Sequence, residues 1–138
     1  MKRLWKIICL GVALLTVSLL AGGCGEKEPE GKIRDLEFTV IEEDAVPKAL
    51  KDVIEENRQK EMKLSYQNAG YLYIARGFGE QTTGGYSIAV EQCYLAEDGI
   101  HVKFQLLGPP HDEKIKEEPS YPYIVIKTEG MDETIVFE

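Results

Sequence analysis

Hydrophobic and polar positions divide the chain into three regimes. Ile7 to Ala21 is an uncharged, mainly apolar run. Gly25 to Lys32 (GEKEPEGK) holds no aliphatic or aromatic side chain. Beyond it, apolar residues recur first in short alternation, then at helical spacing, then in alternation again.

Leu36 to Ile41 (LEFTVI) alternates as a first strand, with Phe38 and Val40 on one face. Val46, Ala49, Leu50, Val53 and Ile54 then fall on one stripe of a helix running to about Glu61. Asp44 offers an N-cap oxygen, and Pro47 fits the first turn, where its missing N–H costs little. The stripe is narrow, so this helix packs one face on a sheet. Met62 to Tyr66 reads as a short strand, and Tyr71 to Ala75 (YLYIA) as another rich in β-formers.

Two long alternating runs follow. Tyr86, Ile88 and Val90 share one face, and Ile100, Val102, Phe104 and Leu106 form the apolar face of the next strand. Glu97-Asp98-Gly99 between them predicts a three-residue hairpin loop closed by a left-handed Gly99. That register sets Tyr94 opposite Val102, Gln92 opposite Phe104 and Val90 opposite Leu106. Gly108-Pro109-Pro110 ends the strand, and His111 to Glu118 is a charged excursion. Tyr121 to Lys127 is a further strand, with Pro122 marking an edge or a strand start, and Thr134 to Phe137 is a last short one. The expected fold class is α+β: a mostly antiparallel β-sheet with one amphipathic helix packed on it.

The apolar run near the start reads differently. Lys2, Arg3 and Lys6 precede it, and Leu20-Ala21-Gly22-Gly23-Cys24 ends it. A basic segment, a short apolar core and small residues form the layout of a secretory signal peptide. The residues before Cys24 resemble the bacterial lipobox, with Ala21 where Leu is commoner. The expected organisation is a signal peptide over residues 1–23 and a tether over residues 24–32. One domain over residues 33–138 follows. Cys24 would carry the lipid, palmitate or a similar acyl chain, and hold the domain on the extracytoplasmic face of the cell membrane.

Charge and cysteine count narrow the classes further. The formal net charge is −8, and the signal segment holds three cations and no acid, so the mature chain stands at −11. Such a domain repels nucleic acid and anionic lipid headgroups. With Cys9 removed and Cys24 lipidated, only Cys93 remains, so no internal disulfide is available.

The segment Gly77 to Gly85 (GFGEQTTGG) is long for a hairpin loop and holds four glycines. It lacks the Gly-Lys-Ser/Thr setting and following helix of a phosphate cradle. Tyr73-Ile74-Ala75-Arg76-Gly77, then Gln81-Thr82-Thr83-Gly84-Gly85-Tyr86-Ser87-Ile88, resembles the C-terminal domain of PrcB-type protease-complex subunits. Gly108-Pro109-Pro110 and Tyr121-Pro122-Tyr123-Ile124-Val125 extend the likeness, which covers roughly residues 71–127. The resemblance implies a non-catalytic lipoprotein that assembles with a secreted or surface protease. A weaker likeness links Thr82-Thr83-Gly84 to the binding loop of chagasin-type cysteine-protease inhibitors. Gln81 replaces that loop's Pro, and Gly85 shifts the aromatic. The expected partner contact is Phe78, Gln81, Thr82, Thr83, Gly84, Gly85 and Tyr86, with Phe78 as an exposed aromatic anchor. The alternatives are an extracellular small-ligand or peptide binder, or a protease inhibitor.

Catalytic chemistry finds little footing. In the expected register Cys93 faces Lys103 and has His101 as its diagonal neighbour, a pair that could make a thiolate. No third residue orients them. His111, Asp112 and Glu113 cluster without a spaced metal-ligand pattern. No enzyme activity, metal or cofactor is expected.

Overall fold

The computed structural model describes residues 29–111 and 114–138. The expected signal segment, Cys24, most of the expected tether, and Asp112 and Glu113 lie outside the described residues. The elements are β1 (Lys32–Asp35), β2 (Phe38–Val40), a 3-10 turn (Glu43–Ala45), α1 (Lys48–Asn57), β3 (Glu61–Asn68), β4 (Tyr71–Phe78), β5 (Ser87–Ala96), β6 (Gly99–Leu107), β7 (Tyr123–Glu129) and β8 (Ile135–Phe137). The strands form two four-stranded sheets, where the sequence reading expected one. Sheet I has the order β1-β5-β6-β8 and sheet II the order β2-β7-β4-β3. All pairings are antiparallel except β6 with β8.

Sheet II is the middle layer. Leu72, Ile74 and Ile126 point from it into the space between the sheets, where they meet Cys93, Ile100, Val102 and Phe104 of sheet I. Tyr73, Ala75 and Val125 point the other way and meet Val46, Leu50, Ile54 and Met62. This double burial explains the sequence of β4. Leu72 to Ala75 shows little polar alternation because both faces lie under apolar cover. Burying each aliphatic side chain here contributes about 1.5–3 kcal/mol.

Helix α1 is shorter than its pattern suggested. Asp44 sits in the 3-10 turn and does not cap the helix; Pro47 holds the N-cap position with no side-chain hydrogen bond. The buried stripe is Leu50 and Ile54, continued backwards by Val46, at a spacing of four. Ala49 and Val53 face outward.

The first strand also needed correction. Lys32 opens β1 and does not belong to the tether. The chain then crosses from sheet I to sheet II at Leu36 and Glu37. Leu36 enters the core, its N–H donating to Cys93 O at 3.0 Å, and Thr128 Oγ1 donates to Glu37 O at 2.7 Å. Phe38 and Val40 remain 37% and 53% exposed because β2 is an edge strand.

The β5–β6 hairpin has a tighter register than expected. Its loop is Glu97-Asp98, and Gly99 already pairs with Ala96. Tyr94 stands opposite His101, Cys93 opposite Val102 and Gln92 opposite Lys103. The ladder shifts between Val90 and Gln92, so Val90 meets Phe104 and Ile88 meets Leu106. Glu91 is thus the extra residue of a β-bulge. The bulge reverses the phase of alternation: Cys93 and Leu95 face the core on one side of it, Val90 and Ile88 on the other. Gly99 does carry a positive φ, at +139°, as the first residue of a strand. A Cβ there would lie 2.3 Å from Thr134 O, on the chain entering β8.

Pro122 stands just before β7, which is a central strand of sheet II, so it marks a strand start and not an edge.

Candidate functional site

The glycine-rich segment is not a hairpin loop. β4 belongs to sheet II and β5 to sheet I, so residues 79–86 carry the chain from one layer to the other. Two packed sheets lie about 10 Å apart, and that distance accounts for the loop's length. Residues 108–122 make the return crossing, from β6 in sheet I to β7 in sheet II.

The two crossings are joined to each other. Gln81 N–H donates to Ser120 O at 2.8 Å, and Ser120 N–H donates back to Gln81 O at 3.0 Å. Gly84 N–H donates to Lys116 O at 2.9 Å. Ser120 Oγ donates to Thr83 O at 2.6 Å. Phe78 N–H donates to Pro122 O at 3.1 Å, where the loop leaves β4. These bonds satisfy backbone groups that surface loops usually leave to water, so the pair forms one ordered platform. Gly85 has φ +86°, and a Cβ there would lie 2.8 Å from Pro109 Cβ. A left-handed residue pressed against a proline restricts that position to glycine.

The expected contact residues divide by exposure. Thr82 and Gly85 are exposed, as is the neighbouring Glu80. Gln81, Thr83, Gly84 and Tyr86 are half-buried. Gln81 Nε2 donates to Phe78 O at 3.2 Å, and Thr83 Oγ1 to Gly84 O at 3.2 Å. Phe78 is not a free anchor. It is half-buried against the inter-sheet core, with the Arg76 guanidinium 4.1 Å from its ring centroid. Arg76 is held in turn by Glu61 at 2.6 Å. Tyr121, from the return crossing, donates its hydroxyl to Glu80 at 3.2 Å, and that carboxylate raises the Tyr121 pKa.

The exposed rim of the platform holds a hydroxyl, a glycine backbone and one carboxylate, beside the exposed segment Lys116–Pro119. Residues 116–120 were not linked to the loop by sequence reasoning. Their pairing spans some forty positions, and nothing in the local pattern announces it. A second feature was also missed. A cleft of about 1060 Å³ opens at the far end of β4, lined by Arg34, Glu37, Thr39, Tyr71, Lys127 and Glu129. Within it Arg34 pairs with Glu129, and the Lys127 ammonium lies 3.8 Å from the Tyr71 ring centroid.

The Cys93/His101 pairing does not form. Cys93 points into the core opposite Val102, and His101 lies on the other face, its ring stacked 4.9 Å from Tyr94. Burial, with the Asp35 charge second, pushes the Cys93 thiol up to about 11. His111 is exposed, and among the described residues no group of three or more His, Cys, Asp or Glu could hold a metal ion.

Residues 72–129 match the family model described as PrcB C-terminal. The match runs from β4 to β7 and contains both crossings of the platform. No curated protein and no solved structure matches the chain. Over residues 72–129, therefore, the chain is similar to the C-terminal domain of PrcB-type proteins.

Proposed function

We propose that this chain is a non-catalytic lipoprotein of the cell envelope that serves as an accessory subunit of a surface or secreted protease. Cys24 carries the lipid, and the platform of residues 79–86 and 116–120 meets the partner. The observation that supports the reading most is the family match over residues 72–129, since PrcB-type domains are associated with protease complexes. The platform adds a second support: it is ordered by its own hydrogen bonds, so little entropy is lost on docking. Thr82 and the exposed Gly85 offer close backbone approach with no charge to desolvate.

The test uses the tagged full-length chain recovered from detergent-solubilised membranes, with casein hydrolysis as the readout. Wild type should recover proteolytic activity, and Thr82→Arg should reduce it at least tenfold at an unchanged melting temperature. Equal recovery by the variant, or no protease activity with wild type, would overturn the reading. Cys24→Ser should move the protein from the detergent phase to the aqueous phase. Unchanged partitioning would remove the lipid anchor from the account.

A further inference from the structure

The strand β8 forms one edge of sheet I and pairs with β6 alone among the described strands. β8 is three residues long, lies parallel to the edge of β6, and pairs Ile135 with Ile100, Val136 with His101 and Phe137 with Val102. Ile100 N–H donates to Thr134 O at 2.8 Å at one end of the pairing, and Glu138 N–H to Val102 O at 2.9 Å at the other. The side chains of β8 are only half-buried; Phe137 stacks on Phe104 with ring centroids 6.5 Å apart.

His101 sits at the middle of this attachment. Its Nδ1 lies 2.8 Å from Glu138 Oε1, just after β8, and its Nε2 lies 2.7 Å from Asp98 Oδ1, in the β5–β6 turn. Both ring nitrogens therefore face carboxylates. A neutral imidazole carries one N–H and must present a lone pair to one of them; only the imidazolium donates to both. The groups facing the ring are Asp98 from the turn, Glu138 from the end of β8 and Tyr94 from β5, with Lys32 of β1 over the same Tyr94 ring.

We propose that His101 is a pH-sensitive clamp, which locks β8 onto the edge of β6 when its ring is protonated and loosens it when the proton is lost. Release bares the outer edge of Ile100 to Val102. The electrostatics agree in sign. Hydrogen bonds to Asp98 and Glu138 raise the His101 pKa, against a smaller lowering by burial. A raised histidine contributes its full stabilisation below about 6.5, the ordinary imidazole value, and loses it as pH rises through the higher folded value. Asp98 is lowered by its bond to His101, so its contribution disappears only in strong acid.

The experiment is amide hydrogen exchange by NMR on the whole chain, corrected for intrinsic rate, between pH 5.5 and 8.5. The reporters are the Ile100 and Glu138 amides, with the amides of β4 as reference. Protection of both reporters should fall about three- to fivefold with rising pH, the scale of a partly exposed ion pair. The fall should vanish in His101→Gln, which keeps a planar donor. A separate titration of the His101 ring resonances needs no destabilised variant: Glu138→Gln should lower its pKa. Flat reporter protection in wild type, an undiminished fall in His101→Gln, or an unmoved His101 pKa in Glu138→Gln would each overturn the clamp.

Discussion

Two glycines of this chain show how differently one residue type is used. Gly99 has φ +139° and would place a Cβ 2.3 Å from the backbone oxygen of Thr134. Gly84 has no positive φ and would place its Cβ 3.6 Å from Lys116 Cβ, an ordinary contact. Gly99→Ala should therefore destabilise by about 2–3 kcal/mol. Gly84→Ala should stay within about 0.5 kcal/mol of wild type. Urea unfolding of both variants checks the pair, and equal losses would show that the Gly99 approach was misjudged. Cys93 makes a second prediction. With its thiol held up to about 11, the folded protein should react slowly with iodoacetamide near neutral pH and at an ordinary rate in denaturant. The linkage has a sign. The folded state keeps the thiol proton through the range in which the unfolded thiol loses it. The Cys93 contribution to stability is therefore complete below about 9, the ordinary value, and is lost as pH rises toward 11. Cys93→Ala should remove that part of the alkaline decline in stability. An unchanged decline would show that the thiol is not its source.

Among the elements, α1 and the strands β3 to β7 were legible because their patterns are local. The stripe of Val46, Ala49, Leu50, Val53 and Ile54 locates the buried side of the helix, although only Val46, Leu50 and Ile54 of it are buried, and the alternation from Ile100 to Leu106 announces one buried face. What was not legible depends on distant partners. The bulge at Glu91 interrupts an alternation that reads as continuous, and it can be seen only from the facing strand. The division of the strands into two sheets is equally hidden, because Leu36 and Phe78 look like any apolar strand residues until their layers are known. The glycine-rich loop was found by its composition, yet its length reflects a crossing between layers. The helix gives the prediction at this scale. Ile54→Ala, at 1% exposure beneath sheet II, should destabilise by about 2–5 kcal/mol. Val53→Ala, on the outer side, should cost well under about 1 kcal/mol. Thermal melts of the two variants separate these outcomes, and a reversed order would place the wrong face of α1 on the sheet.

For the whole molecule, layering explains why one end of the sandwich carries the candidate surface. Both crossings between the sheets that lie within residues 72–129 converge there, and they hold each other in place through Gln81, Ser120, Gly84 and Lys116. A surface fixed this way needs no disulfide, which suits a domain whose one described cysteine is buried and free. The central claim is that this surface meets a protease. The most direct measurement is photo-crosslinking in intact cells from a probe residue placed at Thr82, compared with one at Glu55, which is exposed on α1. The account predicts an adduct from Thr82 whose second component is a peptidase by mass spectrometry, and little or none from Glu55. Adducts of equal yield from the two positions, or a Thr82 adduct containing no peptidase, would contradict it.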